Sequence, residues 1–294
     1  MIYLHLGLHK TATTALQRHV FPNLEGLEFL GRAGGKIEET HELYKLLGRY
    51  VHSTKTDYEQ ERIIGEAFSK YGREHGHLLI SEEWFTTDYS EFYGLRGAAW
   101  QDKLEKLSRI FQALDTKVFL TIRNPLEAMH SQYCEFHNID IQTQYPTFMD
   151  YMLRSNDAKV FFYEALDDLL CRLFVEVDYL TFDEIKAGTY KVFIQEFFCV
   201  EHVADLKNEN TKESNESGVK VRMKGRTVKL LEWVLSPRLR DRLKNVGMFR
   251  LINQWIEKRS NKTVEVPLLS ERDHAMFERH FAGSRAYYLG LLSK

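Results

Sequence analysis

A short apolar run, Ile2-Tyr3-Leu4-His5-Leu6, opens directly into Gly7-Leu8-His9-Lys10-Thr11-Ala12-Thr13-Thr14. An amphipathic stretch follows, from Ala15-Leu16 to Val20-Phe21. Strand, tight hydroxyl-rich turn and helix, in that order, leave few folds open. In this geometry the backbone N–H groups at a helix N-terminus can hold a phosphate. The plainer reading is an ordinary strand–helix turn rich in threonine.

The turn is close to the nucleotide-binding pattern G-x-x-x-x-G-K-S/T, and the departures carry information. Gly7 takes the first glycine and Ala12 the second, while Thr13 stands where the lysine belongs. The lysine, Lys10, comes three places early. A small-molecule kinase needs the late lysine and a magnesium ion, so this pattern disfavours one. Lys10, Thr11, Thr13 and Thr14 instead resemble the K-T-G-T-T loop of sulfotransferases that use 3′-phosphoadenosine 5′-phosphosulfate (PAPS). Ala12 replaces the usual glycine, which leads us to expect a backbone there that avoids a strongly positive φ.

A second segment points the same way. Lys117-Val118-Phe119-Leu120-Thr121-Ile122 has strand composition and ends in Arg123-Asn124-Pro125, with Ser131 eight residues beyond the arginine. Pro125 suits a first helical turn, where its missing N–H costs nothing. An arginine leaving a strand, then Asn/Asp-Pro, then that serine is similar to the family's grip on the 3′-phosphate. Arginine offers phosphate a planar fork of donors, and serine adds a hydroxyl. Ser81-Glu82-Glu83 resembles the S-x-E segment of bacterial members, and Asn215 with Ser217 resembles the late Asn-x-Ser loop that closes on the nucleotide. Phe182-Asp183-Glu184-Ile185 stands where the family has Tyr-Glu-Asp-Leu, without the tyrosine.

The resemblance implies a PAPS-dependent sulfotransferase, with adenosine 3′,5′-bisphosphate (PAP) as product and no metal. Lys10 would neutralise the leaving phosphate. The loop N–H groups at Ala12, with Thr11, Thr13 and Thr14, would bind the 5′-phosphate. Arg123 and Ser131 would bind the 3′-phosphate. The general base is Glu83 first, Glu82 second and His9 third, because alternation lets one of the two carboxylates face the cleft. For both glutamates the plainer role is to sit at a helix N-terminus, favoured by its dipole. Trp84 and Phe85 read as core before ligand contacts, and His130 and His137 as structural or solvent-facing. The acceptor would be a hydroxyl or amine of a carbohydrate or small metabolite. A non-catalytic nucleotide-binding scaffold remains the other alternative to the kinase.

Alternation of strands (2–6, 78–81, 117–122, 174–180) with helical stretches (38–71, 100–114, from Pro125, 148–153, 163–174, 190–198) predicts an α/β architecture. We expect a P-loop-like three-layer fold, a central parallel sheet flanked by helices, in a single domain over 1–294. Residues 209–218 read as a loop, and the remainder as a helical C-terminal part. Composition adds exclusions. The net charge of −2 gives no overall pull toward nucleic acid, although Leu206 to Lys262 holds a local basic excess. That excess reads either as a solvated face or as a rim attracting anions. Cys134, Cys171 and Cys199 are sparse and unpatterned, as expected of buried reduced thiols. No secretory leader or membrane span is visible, so a cytoplasmic location is expected.

Overall fold

The computed structural model describes residues 1–31, 41–89, 97–136, 144–206, 214–215, 218–222 and 263–293. Its centre is a five-stranded parallel sheet of β1 (Ile2–Gly7), β2 (Leu27–Gly31), β3 (His77–Ser81), β4 (Thr116–Ile122) and β5 (Glu176–Thr181). The strand order is β2-β3-β1-β4-β5. Helices α1 (Thr13–Ala15), α2 (Glu42–Val51), α3 (Tyr58–His75), α4 (Trp100–Phe111) and α5 (Pro125–Phe136) fall between or after the first four strands. Then come α6 (Phe148–Arg154), α7 (Tyr163–Leu173), α8 (Phe182–Ala187), α9 (Tyr190–Phe198) and α10 (Glu271–Leu292).

The sheet is buried on both faces, which is why its inner strands read as continuous apolar runs. Ile2, Leu4 and Leu6 point to one face with Leu78, Ile80, Val118 and Leu120, in the larger core. Tyr3, Leu79 and Phe119 point to the other, against Leu16, Phe21, Phe197 and Phe198. The chain fills one side of β1 first, with β3 and then β2 outside it, and later the other side with β4 and β5. The order therefore reverses between β1 and β4, and a crevice opens beyond their carboxyl ends. The segments 7–14 and 123–131 follow those two strands.

Several boundaries differ from expectation. The stretch read as one helix over 38–71 is two, because Asp57 accepts the Gln60 N–H at 3.1 Å and starts α3 afresh. Strand β2 was hidden by its mixed sequence, Leu-Glu-Phe-Leu-Gly, at the sheet edge. The C-terminal part expected to be helical contains β7 (Gly218–Arg222) and β8 (Thr263–Pro267), which pair antiparallel, and the stretch 209–218 read as a loop contains β6 (Ser214–Asn215), which pairs with β7. Gly-Val-Lys-Val-Arg and Thr-Val-Glu-Val-Pro alternate with a period of two, so the signal was present in the sequence. Most of the basic excess between 206 and 262 lies outside the described residues. Among the cysteines Cys134 is buried, but Cys171 and Cys199 are exposed, on the outside of α7 and just past α9. No helix among the described residues is long and apolar enough to cross a membrane.

Candidate active site

A cleft of about 810 Å³ sits at the carboxyl ends of β1 and β4. It is lined by Lys10, Ala12, Thr13 and Thr14 from the first motif, Arg123 and Ser131 from the second, and Glu83 from the turn after β3. Residues that follow three adjacent strands thus converge on one space.

The first motif presents its backbone. Gly7 is required by close approach: a Cβ there would lie 2.7 Å from Thr13 Cγ2 and overlap the Thr13 hydroxyl. Lys10 and Ala12 both adopt left-handed conformations, with φ of 69° and 64°. The expectation for Ala12 is therefore overturned: alanine occupies the conformation that glycine adopts without strain. Ala12 caps α1, where no side chain caps the helix, and its carbonyl accepts from Ala15 and Leu16 N–H at 3.0 and 3.1 Å. Thr11 points away from the cleft. It is fully buried and donates to the Leu8 carbonyl at 2.6 Å. Its hydroxyl therefore shapes the loop from beneath.

The second motif presents side chains. The Arg123 guanidinium donates through Nε (3.1 Å) and Nη2 (2.7 Å) to Glu127 and lies 4.8 Å from the Phe182 ring. Its carbonyl accepts from Tyr163 OH at 2.6 Å, which fixes the end of β4. Ser131 follows on α5, and Glu135, one further turn along, forms an ion pair with Lys10 across the cleft. Sequence reasoning missed Glu135. Its i+4 spacing from Ser131 was the available signal, since such residues share a helix face.

The two glutamates separate cleanly. Glu82 is buried, caps the short 3₁₀ turn Glu83–Thr86 by accepting from Trp84 N–H at 3.0 Å, and accepts from Tyr44 OH. It is not among the cleft-lining residues. Glu82 as a base is thus corrected to a capping role, the plainer role for this pair. Glu83 lines the cleft as the next residue, as alternation requires. The turn that carries it is held from behind. Thr86 OH donates to the Gly7 carbonyl at 3.1 Å. Lys103, fully buried, donates to the carbonyls of Trp84 (3.0 Å), Thr87 (2.7 Å) and Tyr89 (3.0 Å). Burial pushes the Lys103 ammonium down to about 7, with Asp157, Asp88 and Glu82 opposing the shift.

His9 also lines the cleft, its ring edge-on to Trp84 at 4.8 Å. Phe85 is fully buried core, and Trp84 packs partly buried against it. His130 is buried with Nε2 3.0 Å from the Pro267 carbonyl, a structural role. The backbone of Asn215 in β6 pairs with Gly218 in β7, whereas Ser217 and His137 lie outside the described residues. The cleft is also lined by Phe182, Ile185, Tyr190 and Leu206 together with the charged Lys186, Lys191 and Asp205. Among the described residues no group of three or more His, Cys, Asp or Glu could hold a metal ion.

No family model matches the chain, and no curated protein does. Among solved structures, a sulfotransferase from Alicyclobacillus acidocaldarius is similar over 71% of this chain and 85% of its own. The two are 13% identical and superpose with a TM-score of 0.45.

Proposed function

We propose that this chain is a sulfotransferase that moves a sulfuryl group from PAPS to a hydroxyl, or an amine, of a carbohydrate or small metabolite. The observation that carries the reading is the convergence of Lys10, the uncapped helix start at Ala12–Thr14, Arg123 and Ser131 on one cleft. Two anion-binding devices face a shared space, which suits a ligand with two separated phosphates. Phe182, Ile185, Tyr190 and Leu206, which also line the cleft, offer apolar surface for a purine base.

In this reading the loop N–H groups and Thr13 and Thr14 hold the 5′-phosphate. Arg123 and Ser131 hold the 3′-phosphate, and Arg123 exchanges its Glu127 contact for it. Lys10 leaves Glu135 to offset charge growing on the bridging oxygen, a site-preorganised electrostatic contribution. Glu83 takes the acceptor proton as the acceptor oxygen bonds to sulfur and the sulfur–oxygen bond to the phosphate breaks, releasing PAP. The sulfuryl group carries less charge than a γ-phosphate, so a single ammonium suffices where a kinase uses a divalent ion.

Titration calorimetry with PAP, AMP and ATP–magnesium tests the reading. PAP should bind without metal. Loss of the 3′-phosphate should weaken binding by about 10- to 150-fold, the equivalent of one hydrogen bond to a charged group, roughly 1.5–3 kcal/mol. Equal affinity for PAP and AMP would remove the sulfotransferase assignment, and a preference for ATP–magnesium would favour a kinase.

A further inference from the structure

Beneath the phosphate loop, the smaller core ends in a row of fully buried polar groups where apolar packing would be expected: His5, Ser81, Thr11 and Thr121. They come from β1, β3, the loop and β4, and Gln17, just beyond α1, joins them. The contacts form an unbroken series. Gln17 Nε2 lies 3.0 Å from Ser81 Oγ, and Ser81 Oγ 2.7 Å from His5 Nδ1. His5 Nε2 lies 3.3 Å from Thr121 Oγ1, which is 2.6 Å from Thr11 Oγ1.

Both ends fix the direction of donation. Gln17 Nε2 also reaches the Ser81 carbonyl at 3.1 Å, so that atom is the amide nitrogen and donates. At the other end Thr11 donates its one hydroxyl proton to the Leu8 carbonyl. Thr11 therefore accepts from Thr121, which has then spent its own proton. Thr121 must accept from His5, so the ring carries its proton on Nε2, and Nδ1 accepts from Ser81. Every member is satisfied in one arrangement only.

We propose that His5 is a positioning residue for the phosphate loop, locked as the neutral Nε2–H tautomer at the centre of a one-way relay from Gln17 to the Leu8 carbonyl. This rests on the reading of residues 7–14 as an anion cradle. Thr11, the last side chain of the relay, sits between the two left-handed residues Lys10 and Ala12. Tethering it from below holds that strained pair in place and keeps the loop N–H groups turned to the cleft. The Leu8 N–H adds a backbone tie to the Thr121 carbonyl at 3.3 Å. The ring is stacked 4.5 Å from Phe119 and edge-on to Phe21 at 5.0 Å, and burial pushes it down to about 3, so it stays neutral at working pH.

Long-range ¹H–¹⁵N NMR of the His5 ring reads the tautomer directly. The wild-type chain should show protonated Nε2 and bare Nδ1, unchanged between about pH 8 and pH 5. Thr121→Val keeps the shape and removes the central link. It should abolish the single tautomer and weaken PAP binding by about tenfold, the effect of stranding a buried donor. Thr121→Ser should restore both. If Thr121→Val does not fold, Thr121→Ala, which removes the same hydroxyl with less bulk, should give the same two changes. A ring protonated on Nδ1, a ring titrating in the ordinary range, or a folded Thr121→Val with wild-type PAP affinity would overturn the relay. Failure of the wild-type chain to bind PAP would overturn the functional reading alone. The relay would then be judged on the tautomer, which Thr121→Val must disturb and Thr121→Ser must keep.

Discussion

The loop after β1 and the helix after β4 face the same cleft by opposite means. In the loop, Thr11 turns into the protein and the main chain is left to face outward, at the cost of two left-handed residues. On α5 the main chain is consumed by the helix, and Ser131 and Glu135, four residues apart, line the cleft together with Arg123 from just before the helix. The first surface depends on conformation and the second on charge. Substitutions in the loop should therefore act through stability and shape, and those on the helix through affinity.

Glu83 should break the comparison most sharply. Its turn is held from behind, as the loop is, by Lys103 and Thr86, yet what it offers is a side chain. Glu83→Gln keeps the shape and loses the proton acceptor, so single-turnover transfer at saturating PAPS should fall by roughly 10²–10⁴. PAP affinity should be unchanged. A rate near wild type would move the base to His9 or Glu135, which share the cleft.

On the helix side, Arg123→Ala should weaken PAP by about 10-fold or more while leaving AMP affinity and melting temperature nearly unchanged. The arginine is partly exposed and its Glu127 contact is an i,i+4 surface pair, worth roughly 0.3–0.5 kcal/mol to folding. Equal losses for PAP and AMP, measured by calorimetry, would mean that Arg123 does not distinguish the 3′-phosphate.

The smallest effect should come from the loop. Ala12→Gly removes the left-handed penalty, about 1–2 kcal/mol, and returns part of it through the more flexible unfolded chain, about 0.4–1 kcal/mol. A net gain of about 0.5–1 kcal/mol in denaturant unfolding is expected. A loss of stability would show that Ala12 is better accommodated than its φ of 64° implies.

What the sequence disclosed follows from locality. Gly7 to Thr14 and Arg123 to Ser131 were legible because each motif lies within one short segment beside one strand. Central strands were legible because burial on both faces leaves an apolar run. Strand β2 was not, since an edge strand needs only one buried side, and β7 and β8 alternate within a stretch dominated by charge. The choice between Glu82 and Glu83 turned on Tyr44, a residue on α2 that no local pattern connects to the turn. The ion pair of Lys10 with Glu135 is likewise a contact between distant segments. The departure at Ala12 was visible as a residue, but its backbone conformation was not.

The placement of β1 in the middle of the sheet has a consequence for how the chain is made. Its neighbours are β3 on one side and β4 on the other, and the last hydroxyl tethering Thr11 belongs to Thr121. Strand β1, made before both of its neighbours, is therefore completed only once β4 has followed it. At about 5–20 residues per second, β1 waits on the order of 6–24 s for its second neighbour. During that interval Ile2, Leu4 and Leu6 belong to an apolar strand with at most one of its two neighbours made. Residues that end buried at the centre of the sheet thus begin exposed.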